Sequence, residues 1–318
     1  MIDVTALGEV LIDFTDAGTS PSGQKLFERN PGGAPANVLV ALQRLGHQTA
    51  IIGKVGADMH GDFLRQALEA EGVDTHNLIS DPDTFTTLAF VALAADGERT
   101  FSFARKPGAD TRLRSGEVDR SLLEESRIFH VGSLSLTDEP ARSATLVALA
   151  RAKAAGAILS YDPNYRATLW PSEQAAIEQM RSVVEHMDVV KISGEECVLL
   201  TGEASPEAAA AAILAQGPSI VVVTLDAEGA YVATREGGRT VPSFKTQAVD
   251  TTGAGDSFWG GFLCALVEAE KRPTEVTLDE AAGFVRFGNA VASLCVRGRD
   301  GIPSMPSRKA VEELLASA

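Results

Sequence analysis

Cysteine is scarce. Only Cys197, Cys264 and Cys295 occur in 318 residues, far apart, odd in number and set among apolar neighbours. A disulfide framework is excluded, and buried reduced thiols are expected. The five histidines, His47, His60, His76, His130 and His186, fall at no metal-ligand spacing, and neither Cys-x-x-Cys nor His-Glu-x-x-His is present. A zinc site is therefore not expected. Basic residues are in deficit, 28 against 43 acidic, for a formal charge of -15. Nucleic acid and anionic membranes are poor partners for such a chain. A nucleotide is not excluded, because phosphates can be held locally by backbone N–H groups. No apolar run reaches membrane-spanning length, and Glu9 and Asp13 interrupt the first apolar segment. A cytosolic protein is expected. Gly-x4-Gly-Lys-Ser/Thr is absent, as is Gly-x-Gly-x-x-Gly after the first strand, which excludes a P-loop kinase and weakens a dinucleotide enzyme.

What is present is a βα alternation. The segment 4–14 reads as an opening strand, Asn30-Pro31-Gly32-Gly33 as a turn, and 35–45 as a helix with Val38, Leu42 and Leu45 on one face. A strand at 49–53 and a helix near 61–71 follow. Further strands are predicted at 128–131, 157–162, 189–192 and 220–224, and helices at 141–154, 172–184, 205–215, 255–270 and 278–295. The pattern predicts an α/β fold, a layered and mostly parallel sheet with helices on both faces and ligands at the carboxyl ends of its strands. Residues 88–94 and 100–105 read instead as a hairpin turning at Ala95-Asp96-Gly97-Glu98. Together with the polar stretch 15–28 they predict a small β appendage, about 15–30 and 86–106, within one domain spanning 1–318.

The strongest chemical signal is Asp250-Thr-Thr-Gly253-Ala254-Gly255-Asp256, running straight into an apolar helix. The N–H groups of Gly253, Ala254 and Gly255 would form an anion hole at the positive end of that helix. Asp256 sets a carboxylate beside it. A proton acceptor next to donors for developing charge is what phosphorylation of a hydroxyl needs. Helix capping alone is the bland alternative for Asp256. Lys191 ends a strand and either reaches a nucleotide phosphate or is a solvated strand end. Asp162-Pro-Asn164 is either a turn or a substrate contact. Arg105 and Arg166 are cations without obvious sequence partners.

The glycine-rich motif resembles the second signature of the ribokinase-like (PfkB) carbohydrate kinases, and Gly32-Gly33-Ala-Pro-Ala-Asn37, continuing to Gly53-Lys-Val-Gly56-Ala-Asp58, resembles their first. The resemblance implies a ribokinase-like fold with Asp256 as catalytic base and a small β lid. It also implies sugar contacts from Asp13, Gly32, Gly33 and Asn37, with Asp162, Arg105 and Arg166 on the substrate side. For the nucleotide it implies Thr224, Gly229, Lys191 and, lining an adenine pocket, Asn289; Asp226 stands where the family has a loop glycine. Glu196 matches a family glutamate that serves Mg²⁺ through water, with Ser193 where the family has Asn. Asp250 and Thr252, with carbonyls from 294–301, match a K⁺ position.

Asp-Pro-Asn-Tyr-Arg-x-x-Leu-Trp, from Asp162 to Trp170, and the motif around Asn37 are most similar to fructokinases. The implied reaction is ATP-dependent phosphorylation of a sugar primary hydroxyl, D-fructose first. A 2-keto-3-deoxygluconate kinase is the alternative, and a nucleoside kinase or a non-catalytic sugar sensor comes behind it. The implied partners are a sugar, ATP with Mg²⁺, K⁺ as a further ion, and a second copy of the chain through the lid.

Overall fold

In this computed structural model residues 2–93 and 99–317 are described. The strands are β1 (Ile2–Leu7), β2 (Leu11–Thr19), β3 (Lys25–Gly32), β4 (Thr49–Gly56), β5 (Leu78–Asp81), β6 (Leu88–Leu93), β7 (Arg99–Ala104), β8 (Ser126–Val131), β9 (Ile158–Tyr161), β10 (Val189–Ser193), β11 (Ile220–Thr224), β12 (Ala230–Thr234) and β13 (Gly237–Val241). The α-helices are α1 (Ala34–Arg44), α2 (Met59–Ala70), α3 (Arg120–Glu125), α4 (Ala141–Ala155), α5 (Glu173–Ser182), α6 (Gly194–Thr201), α7 (Pro206–Leu214), α8 (Ala254–Glu268), α9 (Leu278–Cys295) and α10 (Arg308–Ala316).

The large sheet runs β13-β12-β11-β10-β9-β8-β1-β4-β5. It is parallel from β5 to β11, and β12 and β13 are antiparallel. Successive residues face opposite layers, as the period of two requires. Val189, Ile220 and Val222 pack with α1, α8 and α9, while Val190, Val221 and Val223 pack with α4, α6 and α7. Burial on both faces explains why these strands read as unbroken apolar runs. No single helix among the described residues is long and apolar enough to cross a membrane.

The predicted opening strand is in fact two. β1 lies in the large sheet, and the chain then leaves through Gly8, Glu9 and Val10 to form β2 in a separate four-stranded sheet, β3-β2-β6-β7. Apolar residues flank the break on both sides, and Gly8-Glu9 is the one mark of it in the sequence. The predicted turn at Asn30-Pro31-Gly32-Gly33 is also corrected. Asn30 to Gly32 finish β3, paired with Asp13 to Leu11, and only Gly33 turns the chain. The predicted hairpin turn 95–98 lies outside the described residues. Asp58 caps α2 through the N–H groups of His60 and Gly61 and also bonds Thr86, fixing the start of β6 to the large sheet.

Helix α8 is a core helix, buried on almost every side. A Cβ at Gly260 would lie 2.7 Å from Ala41 Cβ, and one at Gly261 would lie 2.9 Å from Gly288 Cα. These two glycines let α8 sit tightly against α1 and α9, which fixes where its first turn points.

Candidate active site

Three backbone ends converge beside that first turn: the start of α1, the loop after β9 and the end of β10. Gly33, at φ 108°, is the N-cap of α1, and a Cβ there would collide with the Glu9 carbonyl. The same tight passage brings Asn37, in the first turn of α1, to Asp256. Asn37 Nδ2 donates to Asp256 Oδ2 at 2.8 Å, and Asn164 Nδ2 donates to Asp256 Oδ1 at 3.3 Å. Burial pushes the Asp256 carboxyl up to about 6. The Asn37 bond opposes the rise, Asp162 adds to it, and Lys191 and Arg166 oppose it. A carboxylate with a proton affinity near working pH is suited to general base catalysis.

Gly253 takes φ 74° and caps α8. Among the described residues no acceptor meets the N–H groups of Gly253 and Gly255. Ala254 differs from expectation, because its N–H is turned to Thr251 O at 3.2 Å. Of the three N–H groups expected to form an anion hole, those of Gly253 and Gly255 are thus the ones left to serve it. Lys191 supplies a charge to it, since a Cβ on Gly255 would be 3.1 Å from Lys191 Nζ. Burial pulls the Lys191 ammonium down, but Asp162, Glu196 and Asp256 outweigh it and hold it above its ordinary range.

These groups line a cavity of about 530 Å³. Asp13, Gly33, Asn37, Arg166 and Asp256 border it, with Leu11 and Phe103 from the smaller sheet. Gly32 is a glycine because the Asp13 carboxylate lies across it and would collide with a Cβ. A second cavity of about 680 Å³ adjoins the first, sharing Asn164, Arg166, Lys191, Glu195 and Asp226, and is bordered by Thr224 and Glu196.

Several of the residues expected at the site have structural partners of their own. Arg105 is not a cation without a partner. It is buried, its Nε donates to Asp110 Oδ2 at 2.8 Å, and its other nitrogens reach Thr137 Oγ1 and Leu134 O. Asp162 is not on the cavity wall; it is 2% exposed beneath Lys191, whose Nζ lies 2.7 Å from Oδ2. Asn289 donates to the carbonyls of Val241 and Pro242, so its amide holds the end of β13. Gly229, at φ 108°, answers close approach by the same segment, where a Cβ would collide with the Val241 carbonyl. Glu196 accepts from Tyr165 N and Ser193 N, and with Ser193 it forms the capping box of α6. Asp226 takes φ 48°, a left-handed conformation that glycine adopts most easily and Asp tolerates. Asp250 accepts from Thr252 N and Asp300 N, tying the glycine-rich turn to the stretch after α9.

Glu9 is the residue that motif reading passes over. It is 3% exposed, borders the first cavity, and accepts from Ala34 N through Oε1. Oε2 has no partner among the described residues. Burial pushes this carboxyl up to about 7, with Asp110 reinforcing and Arg105 opposing. An acid inside an apolar run is the one sequence signal that could have found it.

Residues 1–308 match the family model of pfkB family carbohydrate kinases. A probable fructokinase-7 of Arabidopsis thaliana is 42% identical over 325 residues, covering 99% of this chain and 92% of that protein. Among solved structures, a fructokinase of Xylella fastidiosa with bound ATP superposes with a TM-score of 0.90 at 34% identity, over 100% of this chain and 99% of that one. A fructokinase double mutant of Vibrio cholerae O395, in fructose, ADP and potassium ion bound form, gives 0.89 at 34% identity, over 99% and 98%. The fold, the glycine-rich turn at the head of α8 and these matches over the whole chain agree: the chain belongs to the pfkB family of carbohydrate kinases.

Proposed function

We infer that this chain is an ATP-dependent fructokinase, transferring the γ-phosphoryl group of ATP to the primary hydroxyl at C6 of D-fructose. The observation that carries the reading is the meeting of Asp256, held by Asn37 and Asn164, with the unpartnered N–H groups of Gly253 and Gly255 in one cleft. Asp256 accepts the proton of the attacking hydroxyl. Asp13 and Asn37 bind sugar hydroxyls, and Asn37 Oδ1, which has no partner among the described residues, fits a hydroxyl donor. Gly253, Gly255 and Lys191 stabilise the phosphoryl group in transit, where positioning and charge matter more than base strength.

Bound ATP supplies the transferable group, and Mg²⁺ neutralises its phosphates. The second cavity, beside Lys191 and bordered by Thr224 and Asp226, suits the nucleotide. Glu195 and Glu196 lie on its wall and fit the water shell of the metal. We assign K⁺ to the backbone around Asp250 and Thr252. Support comes from the drawing together of the two segments through Val249 N and Asp250 N on Val296 O, at 2.8 and 3.2 Å. Equal rates in Na⁺ and K⁺ would remove that assignment.

The smaller sheet acts as the lid. Asp13 and Phe103 face the cavity, while Phe14, Phe27 and Phe90 form an aromatic cluster on its other face. Phe27 and Phe90 are exposed, which suits a homodimer through this face.

A 2-keto-3-deoxygluconate kinase is favoured by a cation that can pair with a carboxylate. Neutralisation of Arg105 by Asp110 leaves Arg166 to argue for it. The deciding experiment compares kcat/KM for the two sugars in wild type and Arg166→Ala. Fructose should win. A preference for the keto acid, lost in Arg166→Ala, would overturn the fructose assignment and leave the kinase assignment standing.

A further inference from the structure

The spacing of histidines and cysteines along the chain excludes a zinc motif, but the fold brings three ligand types together away from the cleft. Cys264 and Glu268 lie four apart near the end of α8, so they share one helix face. His47, from the link between α1 and β4, packs against that face. His47 Nε2 lies 3.3 Å from Cys264 Sγ and 3.5 Å from Glu268 Oε1, and Sγ lies 3.8 Å from the same oxygen.

We propose that His47 Nε2, Cys264 Sγ and Glu268 Oε1 form a site for one zinc-class divalent cation, at the opposite end of α8 from Asp256. The three atoms lie within 4.8 Å of one another. Ordinary zinc bond lengths at tetrahedral angles require edges of about 3.6 Å for N···S, about 3.4 Å for N···O and about 3.6 Å for S···O. Each observed edge is within a few tenths of an ångström of its value. Two of these edges, N···S and S···O, also serve hydrogen bonds in the metal-free protein, so binding exchanges protons for the cation with little movement. The thiol proton and the Nε2 proton that donates to Sγ both go to solvent, and the bound imidazole carries its proton on Nδ1.

The surroundings fit that exchange. His47 Nδ1 lies 3.3 Å from Asp3 Oδ2, the carboxylate–histidine arrangement that orients a metal-binding imidazole. Arg308 bonds Glu268 through both oxygens and fixes its direction. It also sets a positive charge near the site. Thiolate and carboxylate together match the charge of a dication, and the C-terminal end of α8 carries a partial negative charge. Cys264 is fully buried, whereas Glu268 is partly exposed, so the three groups lie at the edge of the core.

The test uses the full chain without nucleotide, titrated with Co²⁺. One equivalent should produce the intense visible bands of tetrahedral cobalt and a sulfur-to-cobalt charge-transfer band, and Zn²⁺ should displace both. Cys264→Ser should lose the charge-transfer band. His47→Gln, at the edge of the site, should weaken binding by about tenfold or more while keeping turnover, and it decides the question independently if Cys264→Ser fails to fold. Absence of a sulfur-linked band at several equivalents of Co²⁺, its persistence in Cys264→Ser, or unchanged affinity in His47→Gln each overturns the proposal.

Discussion

Asn37 and Asp256 are 219 residues apart in sequence and 2.8 Å apart in space, amide nitrogen to carboxylate oxygen. Burial raises the proton affinity of Asp256 and this bond lowers it; burial wins, at about 6. The active form is the carboxylate, so kcat/KM should fall as pH drops through about 6 and level off above it. Asn37→Ala removes an opposing influence and should move the acid limb to higher pH. A pH–rate profile of both proteins checks this, and a limb that stays put or moves down would detach Asp256 from the profile.

Asp256→Asn keeps the shape but removes the proton acceptor, and its single amide oxygen can accept from only one of Asn37 and Asn164. Turnover should fall by roughly 10²–10⁴-fold while nucleotide binding persists. Steady-state kinetics and calorimetric titration with ATP measure the two separately. A folded variant turning over at the wild-type rate would take Asp256 out of the chemistry.

Lys191 and Asp162 form a buried pair joining β10 to the end of β9. Lys191→Met leaves a carboxylate without its cation and should destabilise the fold by about 3–5 kcal/mol. Adding Asp162→Asn to that variant should recover a large part of the loss, since the uncompensated charge goes. Urea denaturation of single and double variants reads both. Equal stability of Lys191→Met and wild type would show that the pair does not hold these strands.

Glu9 makes stability depend on pH. Its folded pKa, about 7, exceeds its ordinary value of 4.5, so the folded state binds the proton more tightly than the unfolded chain. The stabilisation from this group is therefore complete below about pH 4.5 and is lost as pH rises through about 7. The full swing is on the order of 3 kcal/mol. Glu9→Gln lacks the swing, so it should gain stability relative to wild type between pH 5 and pH 8. Denaturation curves at both pH values test this; an unchanged difference would mean that Glu9 is not buried as a carboxyl.

Much of the fold was legible because each layer obeys a simple period. β11 lies where the apolar run 220–224 predicts it, and α9 occupies 278–295 as its helical pattern requires. Gly260 and Gly261 could be read as close-packing positions for the same reason: α8 is apolar all round and needs neighbours. The break between β1 and β2 left only Gly8-Glu9 as a trace, because Leu7, Val10, Leu11 and Ile12 on either side of it are all buried. Partnerships across sequence were equally hidden. Arg105 finds Asp110, and Asp162 finds Lys191, through folding rather than through any motif. The spacing Ser193-x-x-Glu196 is also the signature of a capping box, and the structure forms that box while Glu196 still borders the second cavity.

Asp13 belongs to the smaller sheet and Asp256 to the helix layer of the larger one. In the proposed reading, a sugar held by both carboxylates at once is a strap between two bodies that the chain joins at Gly8–Glu9–Val10, at Gly33, and on either side of β6 and β7. Recognition and reactivity then cannot be possessed separately. A water molecule, too small to reach from one body to the other, can take the place of the nucleophile but cannot draw the two together. On that reading, the division of the two carboxylates between separate sheets is a safeguard against wasted ATP.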